Sequence, residues 1–500
     1  MTTTNPLEPN HLRKVLTWRD GLGIALSVPA ALFSTFGYTM GVVNAWTAIA
    51  IWLVGSVIAY LQNSLYAEMA SMFPTSSGGI SRYAIEGWKK YFAPLGSIAA
   101  FGYWLGWSLT ISLSSVVLGQ LLTATFFADN TWTFHLFGNE LGLEHVFAAI
   151  TMLTAWALNY FGMKIGAGMG KILGIVMVVG LTILVASCFL SPSADFDTSR
   201  LTWGYEGDWR TVVVVFYVTA WAVYGTEISA TFAPEYKNTV RDTSKAMRYA
   251  ALMIAAVFFV VPLAVAGTIG QQALAANPVT YIVVTLNQTM GQFSWIGTVV
   301  IAATMLLVIV GATADGGRAL FGLAQEGMTI KQFDWLNRWG VPGRALTVDL
   351  VLNVTIMLLI GEPIAILLAS NFGYVLAVVL ALVAFVLLRK DRPEWPRPIR
   401  RGSGWIAVAI VLAVINAFTL VVGFLNPSLL GYGGMKESLI AVGILVLAVV
   451  FYIYRVVVQD KQKLIWRIAV DPLPVDEAER RALEEEMDSR DAPRGRVAAG

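Results

Sequence analysis

Charge is scarce in this chain. Of its 500 residues, 13% are Asp, Glu, Lys or Arg and 57% are hydrophobic, where soluble chains carry about a quarter charged. The charged residues collect in short clusters between long apolar runs. Such a sequence cannot bury its apolar surface in water, so its partner is the lipid bilayer and it reads as a polytopic membrane protein. Cysteine is scarcer still: Cys188 stands alone inside an apolar run, which excludes an internal disulfide and any Cys-based metal spacing. The three histidines, His11, His135 and His145, are scattered and none falls mid-membrane. No metal site, catalytic residue or cofactor is implied. No basic patch interleaves with aromatics, so no nucleic-acid partner is expected. Residues 1–20 hold Arg13, Lys14 and Arg19 but no early apolar core, unlike a cleaved signal peptide.

What is present is apolar length, with a mean hydropathy of +0.66. A hydrocarbon core of about 30 Å needs roughly 20 residues as helix. On that ruler the sequence predicts an all-α protein of twelve spans: 22–43, 45–69, 95–127, 145–163, 168–191, 211–233, 249–270, 295–323, 345–361, 364–388, 405–425 and 437–458. All but three of the 34 Lys and Arg, the exceptions being Arg200, Arg210 and Lys436, then fall on one side. By the positive-inside rule that side is cytoplasmic and holds both termini. Residues 271–294 contain no Lys or Arg; within them Val279–Leu286 is too short to span and is expected to lie against the protein as an external lid. The parts are a cytoplasmic segment 1–20, a ten-helix core 21–390, a loop and two helices 391–458, and a charged tail 459–500. In the tail Glu477, Glu484, Glu485 and Glu486 alternate with Arg480 and Arg481, which suits a solvated, dispensable helix.

Placing an ionisable residue mid-bilayer costs several kcal/mol, so the few present carry information. Glu227 lies deepest, directly after Gly225 and Thr226. Glu68 ends span two, Asp349 is about one turn into span nine, and Asp315 stands three residues before Arg318, the spacing of an interfacial salt bridge. Helix breakers give a second clue, because freed N–H and C=O groups are tolerated in a membrane only where they line a cavity or meet a ligand. Span one carries Pro29, Gly37 and Gly41, and span six carries Gly225 and Pro234; paired interruptions in corresponding helices point to a transporter site. Half-helix N-termini there suit an anionic group. Trp221 lies nearly two turns above Glu227, where an indole can cap a cation. Tyr103, Trp104 and Trp107 in span three read as interfacial belt or helix packing. A desolvated carboxylate favours its protonated form, which makes Glu227 a candidate proton carrier.

Five further stretches carry a resemblance. They are Ala67-Glu68-Met69-Ala70-Ser71-Met72-Phe73-Pro74 with Ser77-Gly78-Gly79; Leu158-Asn159-Tyr160-Phe161-Gly162; Gly225-Thr226-Glu227 with Pro234-Glu235-Tyr236-Lys237-Asn238; Arg318-Ala319-Leu320 through Gln325-Glu326-Gly327 to Gly340-Val341-Pro342; and Leu387-Leu388-Arg389-Lys390-Asp391-Arg392-Pro393 with Arg397-Pro398. In this order the chain resembles the amino acid–polyamine–organocation permeases over spans one to eleven. The resemblance implies a leucine-transporter-type fold of two inverted five-helix repeats plus two extra helices. It also implies a substrate site between unwound spans one and six, contacted by spans three, eight and ten. On this chain that site is Ser27, Pro29, Ala30 and Ala31 for a substrate carboxylate and Trp221, Tyr224, Gly225 and Thr226 for its amine. Glu227 and Trp221 would serve gating or proton handling. Two departures matter. Ser27-Val28-Pro29-Ala30-Ala31-Leu32-Phe33 is bulkier than the family's small-residue break, which opens the alternative of an amine lacking a carboxylate. The span-five lysine of some proton-coupled relatives has no equivalent at Gly174–Met177, Lys171 lying nearer the cytoplasmic end.

The expected function is secondary transport of an amino acid or related organic amine, with H+ ahead of Na+ as coupling ion and symport, exchange and uniport all open. A membrane-embedded enzyme would need a nucleophile–base pair or metal cluster that the sequence lacks. A channel or a non-transporting sensor on the same fold is the remaining alternative, as is an organic-cation carrier for choline-, ethanolamine- or polyamine-like substrates.

Overall fold

The computed structural model describes residues 14, 16–26, 28–74, 79–161, 167–431, 433–474 and parts of 480–487. Ser27, Ser77, Gly78, Gly162 and most of the charged tail beyond 474 therefore lie outside the described residues. The helices are α1 Trp18–Ala25, α2 Ala31–Val42, α3 Ala45–Met72, α4 Ile80–Phe92, α5 Pro94–Ser108, α6 Thr110–Phe126, α7 Leu143–Tyr160 and α8 Ala167–Leu190. They continue as α9 Trp209–Tyr224, α10 Thr239–Ala276, α11 Tyr281–Met290, α12 Ser294–Gln325, α13 Gly343–Ile360, α14 Pro363–Asp391, α15 Trp405–Leu425 and α16 Met435–Tyr454. A short antiparallel ribbon, β1 Thr133–Leu136 with β2 Asn139–Gly142, precedes α7.

Among the described residues ten helical stretches are long and apolar enough to cross a membrane. The helices α7 and α8 fall where spans four and five were expected, and the apolar described part of α8 is Gly174–Leu190. Polarity runs inside-out relative to a soluble bundle. Phe418, Val421 and Leu425 of α15 and Leu439, Val446 and Val450 of α16 are exposed, as helices facing lipid require. Buried hydroxyls and amides such as Ser108, Ser370, Asn353, Asn371 and Asn416 sit in the interior. Helix α14 is the central post: it packs on α4, α5, α6, α9, α15 and α16.

Both predicted interruptions are present. The first span is two helices, α1 and α2, joined through Leu26 and a 3-10 turn at Val28–Ala30. The sixth changes at Gly225 from α-helix α9 to a 3-10 stretch running to Glu235. Gly37 and Gly41, read above as breakers, do something else: α2 is continuous through both. A Cβ on Gly37 would stand 2.0 Å from the Pro278 carbonyl oxygen, and one on Gly41 would stand 2.9 Å from the Ala275 Cα. They are close-approach glycines that let the residues around α11 lie on the first span. The lid expected at Val279–Leu286 is largely the helix α11, whose Tyr281 hydroxyl donates to the Leu32 carbonyl at 3.1 Å. The seventh span ends in a kink at Gly270, where φ is 77°, at the boundary expected from sequence.

The proximal tail is not free. Arg455 donates to the carbonyls of Ala324 and Thr329. Lys331 pairs with Asp460 at 2.7 Å. Trp466 stacks on Phe92 with ring centres 5.3 Å apart, and its carbonyl accepts from the Ala93 N–H at 2.8 Å. Composition hid this because two aromatics and a few backbone groups make the contact, not an apolar run.

A close helix crossing joins α5 to α14 at Gly102 and Gly373, where a Cβ on either would stand within 2.8 Å of the other's carbonyl oxygen. Gly102→Val is therefore expected to abolish recovery of folded protein in detergent. Gly322→Ala, where a Cβ meets nothing within 4 Å, is expected to keep or raise the melting temperature, since Ala is favoured over Gly in a helix by about 1 kcal/mol.

Candidate functional site

The two interruptions meet. A Cβ on Gly225 would stand 3.2 Å from both Trp107 of α5 and Val28 of the first-span turn, so these three elements are in close contact at Gly225. Just before α1 and just after the 3-10 stretch the same two spans are joined again. Leu16 pairs with Tyr236 as an isolated parallel bridge, with hydrogen bonds Leu16 N–H to Glu235 O at 2.9 Å and Lys237 N–H to Leu16 O at 2.8 Å. The Tyr236 hydroxyl donates to Ser229 O, and the Ser229 hydroxyl to Gly21 O, both at 3.1 Å. These bonds take up part of the backbone that the 3-10 stretch leaves unpaired.

Glu227 is 1% exposed. Its Oε1 accepts from the Tyr374 hydroxyl of α14 at 2.8 Å and its Oε2 from the Tyr103 hydroxyl of α5 at 3.1 Å. Tyr103, Trp107 and Tyr374 pack on one another with ring centres 6.0–6.4 Å apart. Among the described residues Trp107 Nε1, Tyr66 OH and Tyr224 OH are buried without a hydrogen-bond partner within bonding geometry. The result is a carboxylate held from both sides by phenols, with no basic side chain in an ion pair with it among the described residues.

Of the residues singled out from sequence, Pro29 and Ala30 are buried in the first-span turn and Ala31 begins α2 half-buried. Ser27 lies outside the described residues. Tyr224 ends α9 and Gly225 opens the 3-10 stretch. Thr226 accepts from Asn63 Nδ2 at 2.8 Å, and Asn63 also donates to Met247 O at 3.3 Å, tying the interruption to α3 and α10. The indole N–H of Trp221 donates to Gly106 O at 3.2 Å, which engages it with α5. Asp315 and Arg318 stand on the exposed side of α12 without the salt bridge their spacing suggested. Tyr103 and Trp107, read above as belt or packing, belong to the centre, and Tyr374 was missed. The i,i+4 spacing of Tyr103 and Trp107 places both on one helix face, and Ser370, Asn371 and Tyr374 mark a polar stripe on α14; those were the available signals.

The recurring stretches also find one another. Glu68, ending α3, accepts from Arg389 Nε at 2.9 Å and Nη2 at 2.6 Å and from the Arg401 N–H at 2.7 Å. Trp395 donates to Met72 O at 3.1 Å. Asn159 reaches Val310 O, and Asn337 reaches Tyr160 O. Next to the first of these joints, Glu86 of α4 meets Lys89 at 2.6 Å, Arg392 at 2.6 Å and Arg82 at 3.2 Å. Burial works against its charge, but the three cations outweigh burial and hold the Glu86 carboxyl below its ordinary value.

The profile of the amino acid permease family matches residues 16–451. The chain belongs to that family. A D-serine/D-alanine/glycine transporter of Escherichia coli K12 is 24% identical over 441 residues, covering 82% of this chain and 89% of the relative. The amino-acid permease RocE of Bacillus subtilis is 24% identical over 363 residues, 69% and 73% of the two chains. An uncharacterised transporter of Legionella pneumophila is similar at 24% over 382 residues, 72% and 79%. The permease is an amino acid transporter and a multi-pass membrane protein.

Two outcomes test the geometry. Tyr374→Phe leaves Glu227 Oε1 unpartnered, and losing a hydrogen bond to a charged group costs about 2 kcal/mol. Amino acid uptake at limiting substrate is expected to fall roughly 30-fold, and less for Tyr103→Phe, whose bond is longer; full uptake in both variants would remove the phenol pair from function. For Glu86, the lowered carboxyl contributes stability that is complete above its unfolded value of about 4.3 and is lost as pH falls through the folded one. Glu86→Gln is expected to cost about 3 kcal/mol at neutral pH. The gap in melting temperature between parent and variant should close as pH drops below about 4.

Proposed function

We propose that this permease carries small neutral amino acids, or amines closely related to them, by alternating access around the Glu227 centre. The observation that carries the reading is the double phenol clamp on a buried carboxylate at the point where two interrupted helices touch. A carboxylate with donors on both oxygens and no resident cation has one negative charge to offer. A substrate ammonium or a proton is the complementary charge. Glu227 would handle that charge. The freed backbone at Pro29, Ala30 and Ala31 with Ser27 would face the substrate carboxylate, and Tyr224, Gly225 and Thr226 its amine. Trp221, fixed on Gly106, would set the outer limit of the cavity rather than swing as a free cap. The names of the Escherichia coli relatives, D-serine/D-alanine/glycine transporters, favour a small side chain, and H+ is preferred to Na+ as coupling ion.

The architecture is read as twelve spans in two inverted five-helix repeats plus two helices, counting α7 and α8 with the ten longer stretches and α11 as a lid. Residues 21–390 would form the core, with both termini and the tail 459–500 on the cytoplasmic side of the plasma or inner membrane. Lys and Arg asymmetry supports that orientation. A second reading rests on one contact: Val28 of the first-span turn lies against Gly225, where a smaller residue would leave room for a carboxylate. It favours organic amines lacking that group.

Purified protein in liposomes should accumulate labelled D-serine, D-alanine or glycine, with unlabelled α-amino acids competing and their decarboxylated amines not. Competition by amines and quaternary amines alone would select the second reading. Binding without accumulation in sealed vesicles would overturn transport in favour of a sensor.

A further inference from the structure

The membrane interior holds a second carboxyl that the transport reading leaves idle. Asp349 of α13 is 0% exposed. Its Oδ1 lies 2.5 Å from Ser108 Oγ, at the end of α5. Asn353 Nδ2 donates to that same Ser108 oxygen at 3.0 Å and to the Asp349 carbonyl at 2.9 Å, while its Oδ1 accepts from the Ser112 N–H at 3.1 Å. Ser108 has one proton to give, and with Asn353 donating to it, that proton goes to Asp349 Oδ1. The other oxygen, Oδ2, has no hydrogen-bond partner among the described residues. It faces Gly316 of α12, where a Cβ would stand 2.4 Å away.

Among the described residues no compensating charge meets this carboxyl. On α12 the charged residues are Asp315 and Arg318, both on the exposed side of the helix. On its own helix Arg344 lies over the Trp335 ring. Helix α6 has no charged residue, α7 has Glu144 and His145, which pair at its N-terminus, and α5 brings only Tyr103, bonded to Glu227. Of the charged residues of α14, Arg389 is bound to Glu68 and Asp391 to Lys90, while Lys390 lies over the Tyr91 ring. A buried carboxyl with a free oxygen and no counter-ion neutralises itself rather than stay charged. A metal cation would need several oxygen ligands, and against Gly316 there is neither room nor a donor set. A proton needs neither.

We propose that Asp349 is a proton-binding site separate from Glu227, and that its occupancy holds α12 against α13 and the end of α5. With the proton on Oδ2 the contact with Gly316 is dry and neutral. When α12 withdraws, water reaches Oδ2, the O–H bond breaks, the electron pair stays on oxygen and the proton leaves to water. The turn Tyr103–Ser108 joins the two carboxyls: Tyr103 bonds Glu227, Trp104 Nε1 donates to Gly316 O at 3.2 Å, Trp107 packs on Tyr374, and Ser108 bonds Asp349. The gating role rests on the transport reading; the proton site itself does not.

Infrared difference spectra of the full chain in lipid at neutral pH test the site without any substrate. The parent should show the carbonyl stretch of a protonated carboxyl, lost in Asp349→Asn and retained in Glu227→Gln. Gly316→Ala, which presses a methyl on Oδ2, should shift that band. Absence of the band in the parent, or its survival unshifted in both Asp349→Asn and Gly316→Ala, would overturn the proposal. In liposomes, Asp349→Asn should exchange labelled glycine but lose stimulation of uptake by an inward proton gradient; full stimulation would overturn the gating role. A parent that shows the band yet moves no labelled amino acid would count against the proposed function and leave the proton site standing.

Discussion

A peptide backbone in hydrocarbon cannot leave its N–H and C=O groups unpaired, and the arrangement of this permease follows from where that rule is suspended. Two of its spans are interrupted, at Leu26–Ala30 and from Gly225 to Glu235. The polar side chains of the interior gather around those interruptions. Asn63 holds Thr226, the Leu16–Tyr236 bridge joins the two spans at their ends, and Tyr236 and Ser229 bond backbone carbonyls. Beside the break at Gly225 the Glu227 carboxylate is accommodated by two further hydroxyls, those of Tyr374 and Tyr103, which bond it directly. Within the regular helices some hydroxyls bond locally, as those of Thr219, Thr268 and Thr313 do to carbonyls four residues earlier.

Charge is distributed by the same economy of solvation. Around the ends of α3 and α14, carboxylates are fully paired: Glu68 takes Arg389 and the Arg401 N–H, and Glu86 takes Lys89, Arg392 and Arg82. These joints bind the end of α3, the helix α4 and the segment after α14 into one polar layer. In the interior the two deepest carboxyls, Glu227 and Asp349, have only neutral donors. The contrast separates two kinds of acid: a paired carboxylate fixes an element, whereas one satisfied only by hydroxyls has no opposite charge beside it and can still take a proton or an ammonium.

How much of this was legible in the sequence depended on whether the cost of a residue could be seen without its neighbours. Glu227 and the breaks at Pro29 and Gly225 were legible, since a mid-span carboxylate or a lost backbone donor is expensive wherever it lies. The kink in α10 falls at Gly270, where span seven was expected to end, and its positive φ favours glycine there. Gly37 and Gly41 were misjudged because a glycine that permits contact and one that breaks a helix look identical in one dimension. Tyr103, Trp107 and Tyr374 were undervalued because their importance lies in what they touch across helices α5, α9 and α14. The pairing of Glu68 with Arg389, 321 residues apart, was present only as two separate resemblances. The docked proximal tail was invisible because Trp466 and Phe92 meet through a single stacked pair.

The two interior carboxyls also constrain each other. Both are held by the same turn of α5, whose residues Tyr103, Trp104, Trp107 and Ser108 bond or pack on Glu227, Gly316, Tyr374 and Asp349. That turn ends at Leu109, where α5 gives way to α6, and it is bound to α14 by the Ser370 hydroxyl on Gly106 O and to α9 by Trp221 on the same carbonyl. One carbonyl thus ties three helices together beside the centre. A displacement of α12 that opens Asp349 to water pulls on Trp104 through Gly316, and so on the helix that carries Tyr103. Loss of the Tyr103 bond would leave Glu227 with one donor instead of two, raising its demand for an ammonium or a proton. A proton at one carboxyl and a cation at the other are linked by a single rigid turn, which is the mechanical condition for coupling one movement to the other.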